Sequence, residues 1–197
     1  MRVERSKQFL SLEECSALND WVEKAVEKNW MVCGLMGAGR HRRTNRRSGL
    51  WHEYPRVVLD ISDRVRNFCG VSAFPLLDNF GPDAAGKNGI IVSATFAGGN
   101  LPEHKDQKTL DGSSVLRCNI MTKSPKSGGM LYIDGKVTDV EVGELHCYLV
   151  SDVPHCVTTV EGETPRIMWM FGAAVPAQAW NNYDIKFGDS HERQQRN

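Results

Sequence analysis

At 197 residues the chain has room for one domain with a real core and little for a second. Hydrophobic residues at 41% and charged residues at 24% are ordinary for a globular fold, and Lys+Arg balances Asp+Glu at 24 each, so net charge points to no nucleic-acid or membrane partner. No apolar run reaches the ~20 residues of a membrane span, the N-terminal MRVERSKQFLSLEEC has no apolar h-region, and the six cysteines (15, 33, 69, 118, 147, 156) contain no Cys-x-x-Cys pair, so the expectation is a cytoplasmic protein with reduced thiols.

Ser11-Leu12-Glu13-Glu14 reads as a capping box, in which the serine hydroxyl and a glutamate three residues on satisfy each other's free backbone donors. Leu12, Cys15, Leu18, Val22, Ala25 and Val26 follow at spacings of three and four, predicting one amphipathic helix that ends near Asn29. The stretch Gly34–Gly49 is rich in glycine and arginine, has no periodicity and reads as a loop. Its five arginines between Arg40 and Arg47 are either a solvated surface or a basic face for an anionic substrate, so a nucleic-acid partner is not excluded. A second helix is predicted from Pro55, with Val58, Ile61, Val65 and Phe68 buried and Gly70 closing it. Trp51, His52 and Tyr54 either add stacking surface near that loop or pack the helix.

From residue 73 the texture becomes short β-rich runs: AFPLLDNF, GIIVSATFA, SVLRCNIMT, GGMLYID, KVTDVEV, ELHCYLVS, HCVTTVE and PRIMWMFGAA. Turn residues separate them and no helix-length pattern intervenes, which predicts an antiparallel sandwich or barrel rather than a βαβ sheet. After Pro176 the chain turns polar and is expected to be a loose tail. One domain is therefore expected, divided into helical support and basic loop (1–72), a β core (73–175) and a tail (176–197).

The chemistry gathers in His104-Lys105-Asp106. On a strand, alternate side chains leave the same face, so an imidazole and a carboxylate would aim at one point. A mononuclear non-haem Fe(II) centre needs a second histidine to complete a 2-His-1-carboxylate triad with positions left open. His155 supplies it, and eleven residues on lies Arg166 in the last β run. A guanidinium facing a barrel interior is costly unless it meets an anion. A dicarboxylate would meet it with a two-pronged fit. His146 is the competing second histidine, but Val157 rather than a cation follows it at the same spacing. His41, His52 and His191 have no suitable partner pattern. Cys147 and Cys156 each follow a histidine; strand alternation turns them away from the imidazoles, so they read as buried thiols rather than zinc ligands. Arg117 and Asn119 share one strand face, turned either toward the site or toward solvent.

On these residues the chain resembles the 2-oxoglutarate/Fe(II) oxygenase superfamily and, within it, the prolyl 4-hydroxylase-like branch. Gly128-Gly129-Met130-Leu131 looks like the family's G-G-x-L strand, and Val142-Gly143-Glu144-Leu145 like the approach to the distal histidine. Arg46-Arg47-Ser48-Gly49 and the helix from Pro55 sit where such enzymes carry an R-x-S loop and a supporting helix. The resemblance implies a mostly β fold, a double-stranded β-helix (jelly roll) with supporting N-terminal helices. It also implies His104, Asp106 and His155 as Fe(II) ligands, Arg166 as the 2-oxoglutarate anchor, and Asn119 with Arg117 as further cosubstrate contacts. The implied activity is a dioxygenase that uses O2 and couples 2-oxoglutarate decarboxylation, giving succinate and CO2, to oxidation of a C–H bond. Its substrate would be an amino acid, a peptide or another small metabolite. Asp106 in the carboxylate position favours hydroxylation over halogenation. Two departures stand out: Arg166-Ile167-Met168 lacks the serine of R-x-S, and Leu116–Ile120 lacks a tyrosine common in prolyl hydroxylases. The alternatives are a cupin-like metalloenzyme that does without 2-oxoglutarate, and a non-catalytic jelly-roll binding module.

Overall fold

The computed structural model describes residues 2–28, 32–33, 44–50, 54–71, 87–109 and 111–182. In chain order these form β1 (Glu4–Ser6), α1 (Leu12–Glu27), β2 (Val32–Cys33), β3 (Thr44–Leu50), α2 (Arg56–Phe68), β4 (Lys87–Thr95), β5 (Leu101–His104) and β6 (Ser114–Lys123). There follow β7 (Ser127–Gly128), β8 (Leu131–Ile133), β9 (Lys136–Thr138), β10 (Leu145–Leu149), β11 (His155–Val157), β12 (Val160–Glu161), β13 (Arg166–Val175) and α3 (Ala177–Asn181).

The helices form for the local reasons the sequence carries. Ser11 caps α1: its hydroxyl accepts from Glu14 N at 3.1 Å while the Glu14 carboxylate accepts from Ser11 N at 2.8 Å. Cys15, Leu18, Val22 and Ala25 are buried as expected, but Leu12, the first residue of the helix, is 75% exposed. Helix α2 begins one residue later than expected, with Pro55 as its cap. It ends as a Schellman motif, Gly70 N bonding Asn67 O and Val71 N bonding Arg66 O.

The β part is antiparallel throughout. A seven-stranded sheet runs β1-β10-β6-β13-β4-β3-β2, and a four-stranded sheet runs β5-β11-β8-β9 opposite it. Period-two alternation in the large sheet sorts its side chains onto two faces. Leu116, Cys118 and Ile120 of β6, Ile167, Trp169 and Phe171 of β13, and Leu145 and Cys147 of β10 pack under α1 and α2. The intervening residues face the smaller sheet, where Val115, Met121, Ile133, Val140 and Val157 make a second apolar cluster. Tyr54 belongs to the first face: its ring lies 5.7 Å from Trp21 and 5.8 Å from Trp169, so it packs the helix. Cys147 also faces the helices, away from the cavity that His146 lines, and meets Cys69 at 3.3 Å between sulfurs; Cys118 lies 3.4 Å from the same Cys69. These are free, buried thiols.

Two expectations are corrected, and one strand is an addition to them. Residues 44–50, the end of the expected loop with the first residue beyond it, are strand β3, paired with β4 from Thr44↔Thr95 to Leu50↔Lys87. Its partner lies roughly forty to fifty residues away in the chain, where no local pattern could announce it. The N-terminal Glu4–Ser6 is likewise a strand, held by β10. The expected loose tail contains α3, whose Trp180 is fully buried, with the Arg2 guanidinium 4.4 Å over its ring and Arg2 Nη1 donating to Trp180 O at 2.7 Å. The AFPLLDNF run, His41, Trp51, His52, His191 and the end of the chain lie outside the described residues.

Candidate active site

His155 begins β11 and pairs directly with His104, the last residue of β5. Directly opposed residues of an antiparallel pair share a face. The two imidazoles therefore stand side by side, with ring centroids 4.4 Å apart. Asp106 follows just past the strand, held by its N–H to Val150 O at 3.0 Å, and its Oδ1 lies 3.3 Å from His104 Nε2. The ligand-type atoms of all three residues fall within 4.8 Å of one another. Each imidazole makes a hydrogen bond from Nδ1 to a carbonyl two residues back, His104 to Pro102 O at 2.9 Å and His155 to Val153 O at 3.1 Å. Such bonds fix the Nδ1–H tautomer and turn both Nε2 lone pairs toward the shared point. Burial works to raise the Asp106 carboxyl, but the His104 contact and the charge of Arg117 outweigh it and hold the group below the usual carboxylate range. Two imidazoles and one carboxylate form a donor set that suits a divalent first-row ion such as iron.

The cluster opens on a cavity of about 110 Å³ between the two sheets. Its walls settle the orientation of β6: Arg117 and Asn119 are both buried and line it. Arg117 donates from Nη1 to Gly89 O at 3.2 Å and stands 3.9 Å from Asp106 Oδ2, which makes it a support for the carboxylate. Asn119 stands directly opposite His146 on β10. Arg166, 6% exposed, reaches the same cavity from the start of β13. Its Nε is buried with no hydrogen-bond partner among the described residues, and burial brings its pKa down to about 10. An unpaired guanidinium nitrogen in a cavity wall fits the far carboxylate of a bound dicarboxylate.

The Gly128-Gly129 pair makes room for that arginine. Both have positive φ, 68° and 64°. A Cβ on Gly128 would lie 1.9 Å from Thr159 O, and one on Gly129 would lie 2.8 Å from Pro125 Cγ and 3.3 Å from Arg166 Cδ. Two further cavity residues come from β10. Tyr148 meets His155 edge-on at 5.6 Å and lies nearly parallel to His146, and His146 itself is buried in the wall. Reading ELHCYLV as a strand with period two puts both on one face, and the sheet register turns that face inward.

No protein-family profile matches the chain, and no curated protein sequence does. Solved structures do. The viral collagen prolyl hydroxylase of Paramecium bursaria Chlorella virus-1, in complex with 2-oxoglutarate, superposes with a TM-score of 0.63 at 16% identity, over 89% of this chain and 97% of the viral one. The Pseudomonas putida prolyl-4-hydroxylase gives 0.59 at 16% identity, over 86% and 91%. HygX of Streptomyces hygroscopicus, with nickel and 2-oxoglutarate bound, gives 0.59 at 12% identity, over 89% and 83%. The described residues contain no helix long and apolar enough to cross a membrane. With its mostly antiparallel strands, the chain has the double-stranded β-helix fold of the prolyl-4-hydroxylases and other 2-oxoglutarate/Fe(II) oxygenases.

Proposed function

We propose that this protein is an Fe(II)- and 2-oxoglutarate-dependent dioxygenase that hydroxylates an amino acid, a peptide or another small metabolite. The observation that carries the reading is one cavity lined by both the His104–Asp106–His155 cluster and Arg166, whose buried Nε has no hydrogen-bond partner among the described residues. His104, Asp106 and His155 would hold the iron, and Arg166 would hold the far carboxylate of 2-oxoglutarate. When bound, the pair supplies oxidising power: decarboxylation of 2-oxoglutarate to succinate and CO2 is coupled to cleavage of O2 and oxidation of a C–H bond. Arg117 keeps the Asp106 carboxylate turned toward the histidines, and Met168, Met170 and Ile91 line the cavity with apolar surface. Substrate class stays broad, because the neighbours differ: two are prolyl hydroxylases, whereas HygX has also been solved with hygromycin B bound.

The test is succinate release from 2-oxoglutarate by Fe(II)-loaded protein, comparing wild type with His104→Ala and Arg166→Ala. Release by the wild type and its loss in both variants supports the reading. Metal binding without any effect of 2-oxoglutarate or of Arg166→Ala would move a cupin-like metalloenzyme to the front.

A further inference from the structure

We propose that His146 is a second donor to the far carboxylate of 2-oxoglutarate, acting beside Arg166 as a neutral imidazole. This rests on the oxygenase reading and deepens it. His146 is 1% exposed, and its Nδ1 is buried without a hydrogen-bond partner among the described residues. A buried polar atom is normally satisfied, so one left over on a residue that lines a cavity calls for a partner. Arg166 Nε is left over on the same wall. Two donor groups on residues that line one cavity suit an acceptor with several lone pairs, and a carboxylate offers about four.

His146 has three close neighbours. On β1, directly opposite, Arg5 is engaged by the Glu144 carboxylate and the Asp139 carbonyl. On β6, directly opposite on the other side, stands Asn119. Tyr148 lies nearly parallel, with ring centroids 6.2 Å apart, and sits between His146 and the metal ligand His155. Thus Tyr148 touches both rings, and His146 lines the same cavity as Arg166. Burial, with the charges of Arg166 and Arg5, pushes its pKa down to about 3, so the ring carries one N–H donor and no charge. Met168, two residues after Arg166 on the same cavity-facing side of β13, offers no donor. On this proposal the second polar contact comes from a different strand, β10.

The experiment is calorimetric titration of anaerobic Fe(II)-loaded protein with 2-oxoglutarate and with 2-oxobutyrate, which lacks the far carboxylate. The proteins are wild type, His146→Ala and His146→Gln, the last retaining an N–H donor; circular dichroism and Fe(II) affinity check the folding of each. The expected result is a loss of about ten- to a hundred-fold in 2-oxoglutarate affinity for His146→Ala, the scale of a hydrogen bond to a charged partner. For 2-oxobutyrate the change should stay within about three-fold, and His146→Gln should recover most of the loss. Equal losses for both ligands, or no loss in His146→Ala, would overturn the proposal, because a packing role cannot distinguish them by the missing carboxylate. A wild type that binds 2-oxobutyrate as tightly as 2-oxoglutarate, or binds neither, would remove the oxygenase reading itself and this inference with it.

Discussion

His104 and His155 are directly opposed residues of neighbouring antiparallel strands, and their imidazole centroids stand 4.4 Å apart at an interplanar angle of 49°. The backbone ladder, rather than side-chain chance, thus sets the spacing of two ligand-type groups. Asp106 lies outside that ladder. Its placement depends on one N–H bond to Val150 O and on the charges around its carboxylate.

Arg117 is the residue on which that carboxylate leans. Replacing it by Met keeps the bulk but removes the charge 3.9 Å from Asp106 Oδ2. Fe(II) affinity measured by calorimetry should fall by about ten- to a hundred-fold, the usual cost of losing a partner that orients a metal ligand. Thermal stability should not rise, since Gly89 O also loses its donor.

Gly129→Ala places a methyl group 2.8 Å from Pro125 Cγ and 3.3 Å from Arg166 Cδ, at a φ of 64°. Backbone strain of this kind costs about 1–3 kcal/mol. Denaturant unfolding should show a loss in that range. The displaced arginine should also weaken 2-oxoglutarate binding more than Fe(II) binding, which calorimetry with each ligand separates.

His146 gives a pH dependence whose sign is fixed. Its folded pKa of about 3 lies below the ordinary 6.5, so the unfolded chain binds the proton first as pH falls. The stability it contributes is complete above about pH 6.5 and is lost progressively toward pH 3, with a limiting slope of about 1.4 kcal/mol per unit. Unfolding of chelator-treated protein between pH 7.5 and 5 should therefore show His146→Gln losing less stability than wild type. Parallel curves would mean that the native imidazole takes up a proton as readily as the unfolded one.

The cap of α1 has the carboxylate version of the same logic. Burial works to raise the Glu14 carboxyl, but bonds from Ser11 and the Arg64 guanidinium, 2.5 Å away, hold it below its ordinary 4.5. Its contribution is present above about that value and lost as pH falls through the depressed one. Glu14→Gln should cost about 0.5–1.5 kcal/mol at pH 7 by chemical denaturation, and the gap to wild type should shrink below pH 4.

Local patterns carried much of this structure. The capping box, the Cys15-Leu18-Val22-Ala25 stripe and the helix after Pro55 were legible because a helix is decided by residues a turn apart. His104, Asp106, His155 and Arg166 were legible as a set through their types and spacing, before any contact between them was visible. What the chain could not announce locally was pairing across long separations. Strands β1 and β3 exist because β10 and β4 supply their hydrogen bonds, and neither segment alternates strongly enough to declare itself. Helix α3 is held by Arg2 from the far end of the chain. The inward turn of Arg117, Asn119, His146 and Tyr148 likewise followed only when sheet register settled which face looks into the cavity. Residue identity and spacing determined the candidate chemistry; the closing of two sheets decided its surroundings, since burial and cross-strand contact are properties of the assembled layers and not of any single segment.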